Sequence, residues 1–496
     1  MKKFILNIAI AAGIVTGLAS CDGFLDRVPT DSVVAESAMV TMADAKVATN
    51  GLYTDLKYYT MYGTYMTCLG DVRADNLYPR AINGSWATFY NLDFGATQNS
   101  YFGLWQNYYN VLMKANSIIA NIETVPVESA KDEATRDDIL GQAYAVRALC
   151  YFDLARIYGY PYLKDNGASL GAVILPHDNG RAGLIGPEEA KGLKRGTVAE
   201  TYAQALSDVN EALGLLSSAK NNGHFNYWAA KMLQGKIALY KGDWQLAFNA
   251  CSEVVESSPY RLVPNEEYVA YWSKECDDES VLELLISPDG DIDGDGGFNT
   301  VFHSLWFGDN GAGRSVIPTK KWRDLFANTP NDVRAKFIQE NVPSVSNIDE
   351  DFYWLNKFAG NKDREALTFR QNNPRVFRIT DAYLMAAEAA LHINNQNVAD
   401  EYLNAVRLRA DKTATEVVAT QELIALERHK EYIGEGHRFF DVMRNGGSIV
   451  RDIALDPRDY DGDPRRVIDW NTHTIVLPMA STEFTVYPDL QQNPGY

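Results

Sequence analysis

Gln421–Arg444 reads QELIALERHKEYIGEGHRFFDVMR, a helical run broken by two glycines. As a helix it sets Leu423, Leu426, Lys430 and Ile433 along one side, with the Lys430 stem lying over the apolar stripe. Gly434 and Gly436 loosen the backbone, and His437–Arg444 makes a second short run carrying Phe439, Phe440 and Met443. Glu427, Glu431, Glu435, Asp441, His429 and His437 give the stretch the look of an active site. A helical zinc site needs two histidines four apart with a glutamate between them, and here the histidines are eight apart. The better account is structural: Glu427 and Glu431 share a helix face, and Arg428, Lys430, Arg438 and Arg444 are at hand to lock two helices together through charge.

Working outward, the chain is dominated by helical periodicity. Asp44–Tyr58 carries Val47, Leu52 and Leu56. Asn99–Ile122 repeats apolar residues every three and four, and Asp137–Tyr158 does the same before Gly159 and Pro161 stop it. Thr197 with Glu200 three residues on is a capping box opening another helix. Asn226–Tyr240 and Asp243–Glu256 form a pair across Gly242, with Trp244 and Ala247 after the turn, and Asp381–His392 with Val398–Arg409 reads as a further pair. The spacing is not a constant repeat, so a regular solenoid is excluded. The expected fold is mostly α: degenerate tetratricopeptide-like helix pairs forming a scaffold, with long irregular loop-rich insertions around residues 60–98 and 259–373 and a few short strands. Glu279–Ile286 is one such strand or buried run.

The composition bounds the partners. Lys and Arg number 46 against 65 Asp and Glu, a formal net charge of −19, which repels phosphate backbones and argues against nucleic acid. The 28 Tyr, 20 Phe and 9 Trp are a surplus that suits stacking on flat ligands as well as core packing. Residues 1–20 read as an export signal, with Lys2 and Lys3 ahead of a short apolar run too short to span a membrane. Leu18-Ala19-Ser20-Cys21 resembles a lipoprotein box, which makes Cys21 the lipidated first residue of one domain covering 21–496. The remaining cysteines, Cys68, Cys150, Cys251 and Cys276, form no CxxC pair, and Cys150 and Cys251 fall in apolar helical patterns as buried thiols.

Two insertions hold candidate ligand residues. Leu69–Asn91 has the Gly, Asn and Pro punctuation of an exposed, structured loop, and it mixes Asp75, Asn76, Tyr78, Trp86 and Tyr90. Rings that stack on the C–H face of a neutral sugar, beside carboxylates and amides that bond its hydroxyls, are what glycan binding requires. Trp306, Tyr353 and Trp354 form a second set, whereas Trp322 in KKWRDLF reads as core. Asp289, Asp291, Asp293 and Asp295 alternate, with Gly294 sixth, like the start of a calcium loop, but the twelfth position is Thr300 in place of Glu. Calcium is therefore the one ion the sequence would admit, and no cofactor is required.

Several stretches in order resemble the SusD/RagB family of outer-membrane nutrient-binding lipoproteins of Bacteroidetes. They are the C-x-x-F-L-D opening at Cys21–Asp26, AYAVRALCYFDLARIYGYP, ERHKEYIGEGHRFFDVMRNG and the terminal NPGY. The resemblance implies a cell-surface lipoprotein at the outer membrane that binds oligosaccharide and delivers it to a SusC-like TonB-dependent transporter, without catalysis. It also implies glycan contacts in the region of Asp75–Tyr90. Two other readings stay open on the residues alone: a surface glycoside hydrolase, for which 65 acids offer chance carboxylate pairs but no β/α alternation, and a peptide-binding helical-repeat lipoprotein.

Overall fold

The computed structural model describes residues 39–79, 85–97, 103–177, 191–286, 316–340, 353–358, 360, 372–451 and 467–496. The export signal, Cys21, Trp306 and the Asp289–Asp295 run lie outside the described residues.

Helix α1 (Met42–Leu56) opens on Thr41, whose hydroxyl accepts from the Asp44 N–H while the Asp44 carboxylate accepts from Thr41 N–H. Strand β1 (Leu77–Pro79) and helix α2 (Ser85–Asn91) follow, then α3 (Gly103–Asn121). Helix α4 (Ala130–Tyr158) begins seven residues before the expected Asp137. Its first two turns are polar and carry no apolar stripe, yet Ser129 caps them by accepting from Asp132 N–H. The capping box at Thr197 opens α5 (Val198–Leu215). Next come α6 (Tyr227–Lys241) and α7 (Trp244–Ser257), joined across Gly242 at φ 81°, the left-handed conformation in which a side chain would be strained.

The ribbon of helices is then interrupted. Strand β2 (Ser280–Glu283) pairs antiparallel with β6 (Arg375–Arg378), while β3 (Val316–Pro318) pairs with β1 and β4 (Ile338–Glu340) pairs with β5 (Tyr353–Leu355). Helices α8 (Ile379–His392), α9 (Gln396–Ala410), α10 (Gln421–Glu431) and α11 (Arg438–Arg444) resume the stack, and β7 (Ile449–Val450) pairs with β8 (Val467–Ile468). From α3 to α9 each of the long helices packs on the next in the chain, so the scaffold is the expected irregular stack of helix pairs with strands confined to the insertions. Among the described residues the interior is a main apolar cluster running from Met39 to Leu490, with Cys150 and Cys251 inside it as free thiols. No described helix is long and apolar enough to cross a membrane.

The two glycines of the Gln421–Arg444 stretch act as expected: α10 ends at Glu431, Gly434 and Gly436 take φ of 77° and 81°, and α11 starts at Arg438. The buried face of α10 differs from the expected apolar stripe. Leu426 is 39% exposed, while Ile424, Glu427, Arg428, His429, Lys430 and Glu431 are buried. Charge pairing, and not apolar periodicity, turned this helix inward.

Candidate functional site

The acids and bases of the Gly-rich turn form a lattice beneath the surface. Glu431 faces Arg334 at 3.0 Å, Arg378 at 3.1 Å and Arg409 at 2.9 Å. Arg378 continues to Glu435 at 2.7 Å and to Glu279, and Arg409 reaches Glu279 at 2.8 Å. Glu427 pairs with Arg334, which also holds Asp332. Burial alone would raise the Glu431 carboxyl, but Arg409, Arg378 and Arg334 hold it well below the usual carboxylate range. A carboxylate saturated by three guanidinium groups and closed off from solvent has no lone pair to give a substrate proton or a metal.

The expected network is therefore present with different partners. Arg428 pairs with Asp441, Arg444 with Glu388 and Asp441, and Arg438 with Asp75, so the cations nearest in sequence serve other carboxylates. Those that hold Glu431 come from β6, α9 and the segment around Asp332, and no local spacing announces them.

Leu69–Leu77, expected to be exposed, is buried throughout. Gly70 meets Gly436 backbone to backbone: a Cβ on Gly70 would stand 1.9 Å from the Gly436 carbonyl carbon. Asp71 accepts from Gly436 N–H at 2.7 Å and from the Asn76 amide at 2.9 Å, and burial pushes its carboxyl up to about 7. Asp75 takes two hydrogen bonds from Arg438, at 2.8 and 3.1 Å, and one from Lys321 at 2.8 Å. Burial works against its charge, but the Arg438 guanidinium and the Lys321 ammonium hold its carboxyl well below the ordinary value. The Asn76 carbonyl oxygen is engaged by His429 Nε2. Burial and then Arg438 bring His429 down to about 3, so it is neutral. Tyr90 is 4% exposed and lies under the Arg451 guanidinium at 3.7 Å. Asp75, Asn76 and Tyr90 thus differ from the expected exposed ligand contacts: all three are buried, Asp75 and Asn76 are bonded to Arg438, Lys321 and His429, and Tyr90 lies under Arg451.

The remaining rings converge. Register pairing sets Tyr78 opposite Ile317 across β1 and β3, and β5 lies against β3. Trp354, on β5, closes a small satellite cluster with Ile317 and Tyr78. Tyr353, its neighbour, is half-buried and opposite Glu340, with the Arg323 guanidinium 3.7 Å from its ring centre. Trp86, half-buried on α2, packs on the main core beside β1. Two stretches more than two hundred residues apart in sequence thereby bring Tyr78 and Trp354 into one cluster, with Trp86 on the helix beside β1 and Arg323, on the turn Lys320–Arg323, against Tyr353; Lys321 on the same turn has a side chain 36% exposed. Trp322 on that turn is fully buried as expected and donates to the His429 carbonyl at 3.1 Å. Sequence reasoning missed Arg323 and Lys321. Alternation on a short amphipathic turn, Trp322 in and its neighbours out, is the signal that could have found them.

The architecture defines a helical-repeat scaffold that carries a ring-bearing insertion face. Residues 338–496 match the family model described as the SusD family, and residues 24–239 match one described as starch-binding associating with outer membrane. The chain is 27% identical to SusD-like protein P25 of Formosa agariphila, with 99% of each covered. It superposes on the crystal structure of a SusD superfamily protein from Bacteroides thetaiotaomicron with a TM-score of 0.82 at 30% identity, covering 92% of this chain and 100% of that one. The surface glycan-binding protein A of the same organism, solved in complex with laminarihexaose, shares the fold with a TM-score of 0.73 at 21% identity, covering 92% and 100%. The chain belongs to the SusD family.

Proposed function

We propose that this protein is a non-catalytic surface glycan-binding protein that captures neutral oligosaccharide on the face formed by Tyr78, Trp86, Tyr353 and Trp354 and hands it to a SusC-like TonB-dependent transporter. The observation that carries the reading is the meeting of Tyr78 and Trp354 over Ile317, which joins the two ring sets on one face. The half-buried rings Tyr78, Trp86 and Tyr353 offer a sugar its stacking plane over the buried Trp354, and the Arg323 guanidinium beside Tyr353 is a donor for its hydroxyls. Trp306 belongs to the same proposal from its sequence alone. The laminarihexaose complex of a protein of like fold supports the ligand class. Lipidation at Cys21 would hold the protein at the outer membrane, in keeping with the description of the matched family model.

The hydrolase reading needs an accessible acid with a raised pKa. Among the described residues the raised acids Asp71, Asp208 and Asp381 are buried, with Asp208 tied to Arg147 at 2.5 Å, which leaves the half-buried Glu483 as the raised acid within reach of solvent. The test is a glycan-array screen of the soluble protein lacking residues 1–21, followed by assay for new reducing ends. Retention of one glycan class without cleavage supports the proposal, and release of reducing ends overturns it.

A further inference from the structure

Beneath the Gly-rich turn lies a partly open cavity of about 40 Å³, at the junction of α4, α6 and β6. Arg156 enters it from α4, Lys236 from α6, Arg375 from β6, and Glu435 and His437 from the turn. Most of these charges are already matched. Arg156 pairs with Asp153 at 2.6 Å, Arg375 with Glu283 at 3.3 Å, and Glu435 with Arg378 at 2.7 Å. Lys236 is different: it is 5% exposed, and among the described residues it makes neither an ion pair nor a hydrogen bond, its ammonium standing 5.5 Å from the Phe377 ring centre.

An ammonium buried without a counter-charge is costly, and proteins answer that cost with a partner or with deprotonation. Asp381 is the carboxylate that most favours the Lys236 charge, yet it lies outside ion-pair distance of it and approaches His437 Nδ1 at 3.7 Å. His437 is held well below its ordinary value by burial and then by Lys236, Arg428, Arg156 and Arg378. Trp272, which also lines the cavity, leaves its indole N–H without an acceptor.

We propose that this cavity is a buried halide site, in which a chloride-class anion is the counter-ion of the Lys236 ammonium and the acceptor for the Trp272 indole N–H. The volume fits a small anion: one water needs roughly 10–15 Å³ on this measure, so the cavity takes a chloride-sized ion with a water or two. Met66, Leu149 and Phe152 complete the wall, and such apolar surroundings favour a weakly hydrated halide over fluoride. The anion would join the helical stack to β6 and the Gly-rich turn, making the closure of the fold responsive to halide.

Thermal unfolding in sodium chloride, bromide and gluconate at matched ionic strength tests this directly, together with bromide-soaked crystals measured for anomalous scattering. At about 0.15 M salt, the midpoint should stand roughly 1–2 °C higher in chloride or bromide than in gluconate. Lys236→Met should abolish that difference, and an anomalous peak should lie in the cavity of the unaltered protein. Equal midpoints in chloride and gluconate, a halide effect that persists in Lys236→Met, or only water in the bromide-soaked cavity would overturn the proposal. The anomalous measurement stands even where the variant does not fold.

Discussion

Arg378 donates to Glu431 at 3.1 Å, across a separation of 53 residues, and this contact joins the β2–β6 sheet to the helix that precedes the Gly-rich turn. Arg334 and Arg409 meet the same carboxylate, so its loss leaves three guanidinium groups without their shared partner. Breaking a buried pair from one side costs about 3–5 kcal/mol. Glu431→Lys should therefore lower the urea midpoint by at least that equivalent, while the glycan affinity of the folded fraction stays unchanged. A loss below about 1 kcal/mol would make the lattice an ornament of the fold.

The Gly70–Gly436 approach yields a sharper test. The atom a Gly70 Cβ would strike is backbone, which cannot turn aside, and Gly436 sits at φ 81°. Gly70→Ala should cost about 3 kcal/mol or more, comparable with the most damaging substitutions in cores. Gly214→Ala, with nothing within 4 Å of its Cβ position, should be neutral or slightly stabilising, because it lies within α5. Chemical denaturation of the two variants side by side checks both.

Asp71 makes stability fall with pH over a definite window. Its carboxyl, pushed up to about 7 in the folded protein, lies above the ordinary aspartate value of 3.8, so between these values the folded protein holds a proton that the unfolded chain has released. Its stabilising contribution is complete below the unfolded pKa and is lost as pH rises toward 7. Asp71→Asn removes this titration, and its stability relative to the unaltered protein should therefore improve as pH is raised from about 4 to 7. Parallel denaturation curves across that range, with a constant difference, would contradict the burial argument.

The rings divide by role. Tyr90→Ala removes a ring that is 4% exposed under Arg451, and should lower stability by about 3 kcal/mol or more. Tyr353→Ala removes a half-buried ring at the end of the paired strands β4 and β5, and should cost little stability while weakening glycan binding about tenfold. Calorimetric melting and ligand titration on both variants separate the two effects.

What the sequence made legible was local. The capping box at Thr197, the left-handed turn at Gly242 and the breaks at Gly434 and Gly436 each have a physical signature within a few residues, and each appears in the structure. What it concealed was long-range. Asp75 and Asn76 carry the residue types of a sugar site, but Arg438 lies 363 residues from Asp75 and His429 lies 353 from Asn76, so nothing local shows their hydrogen bonds already filled. The face of α10 misled for a related reason. Periodicity assumes that apolar residues turn inward, and here buried guanidinium groups drew Glu427 and Glu431 inward. The ring face was half legible, since Tyr78 and Trp354 could each be nominated but their meeting over Ile317 depends on strand register.

The most direct test of the glycan-binding account is titration calorimetry of the soluble protein against the glycan class retained on the array, with Trp86→Ala in parallel. The account predicts weak but saturable binding, on the order of micromolar to millimolar, that Trp86→Ala abolishes or sharply weakens in the folded protein. Undiminished affinity in Trp86→Ala, together with undiminished affinity in Tyr353→Ala, would contradict the assignment of the ligand to this face.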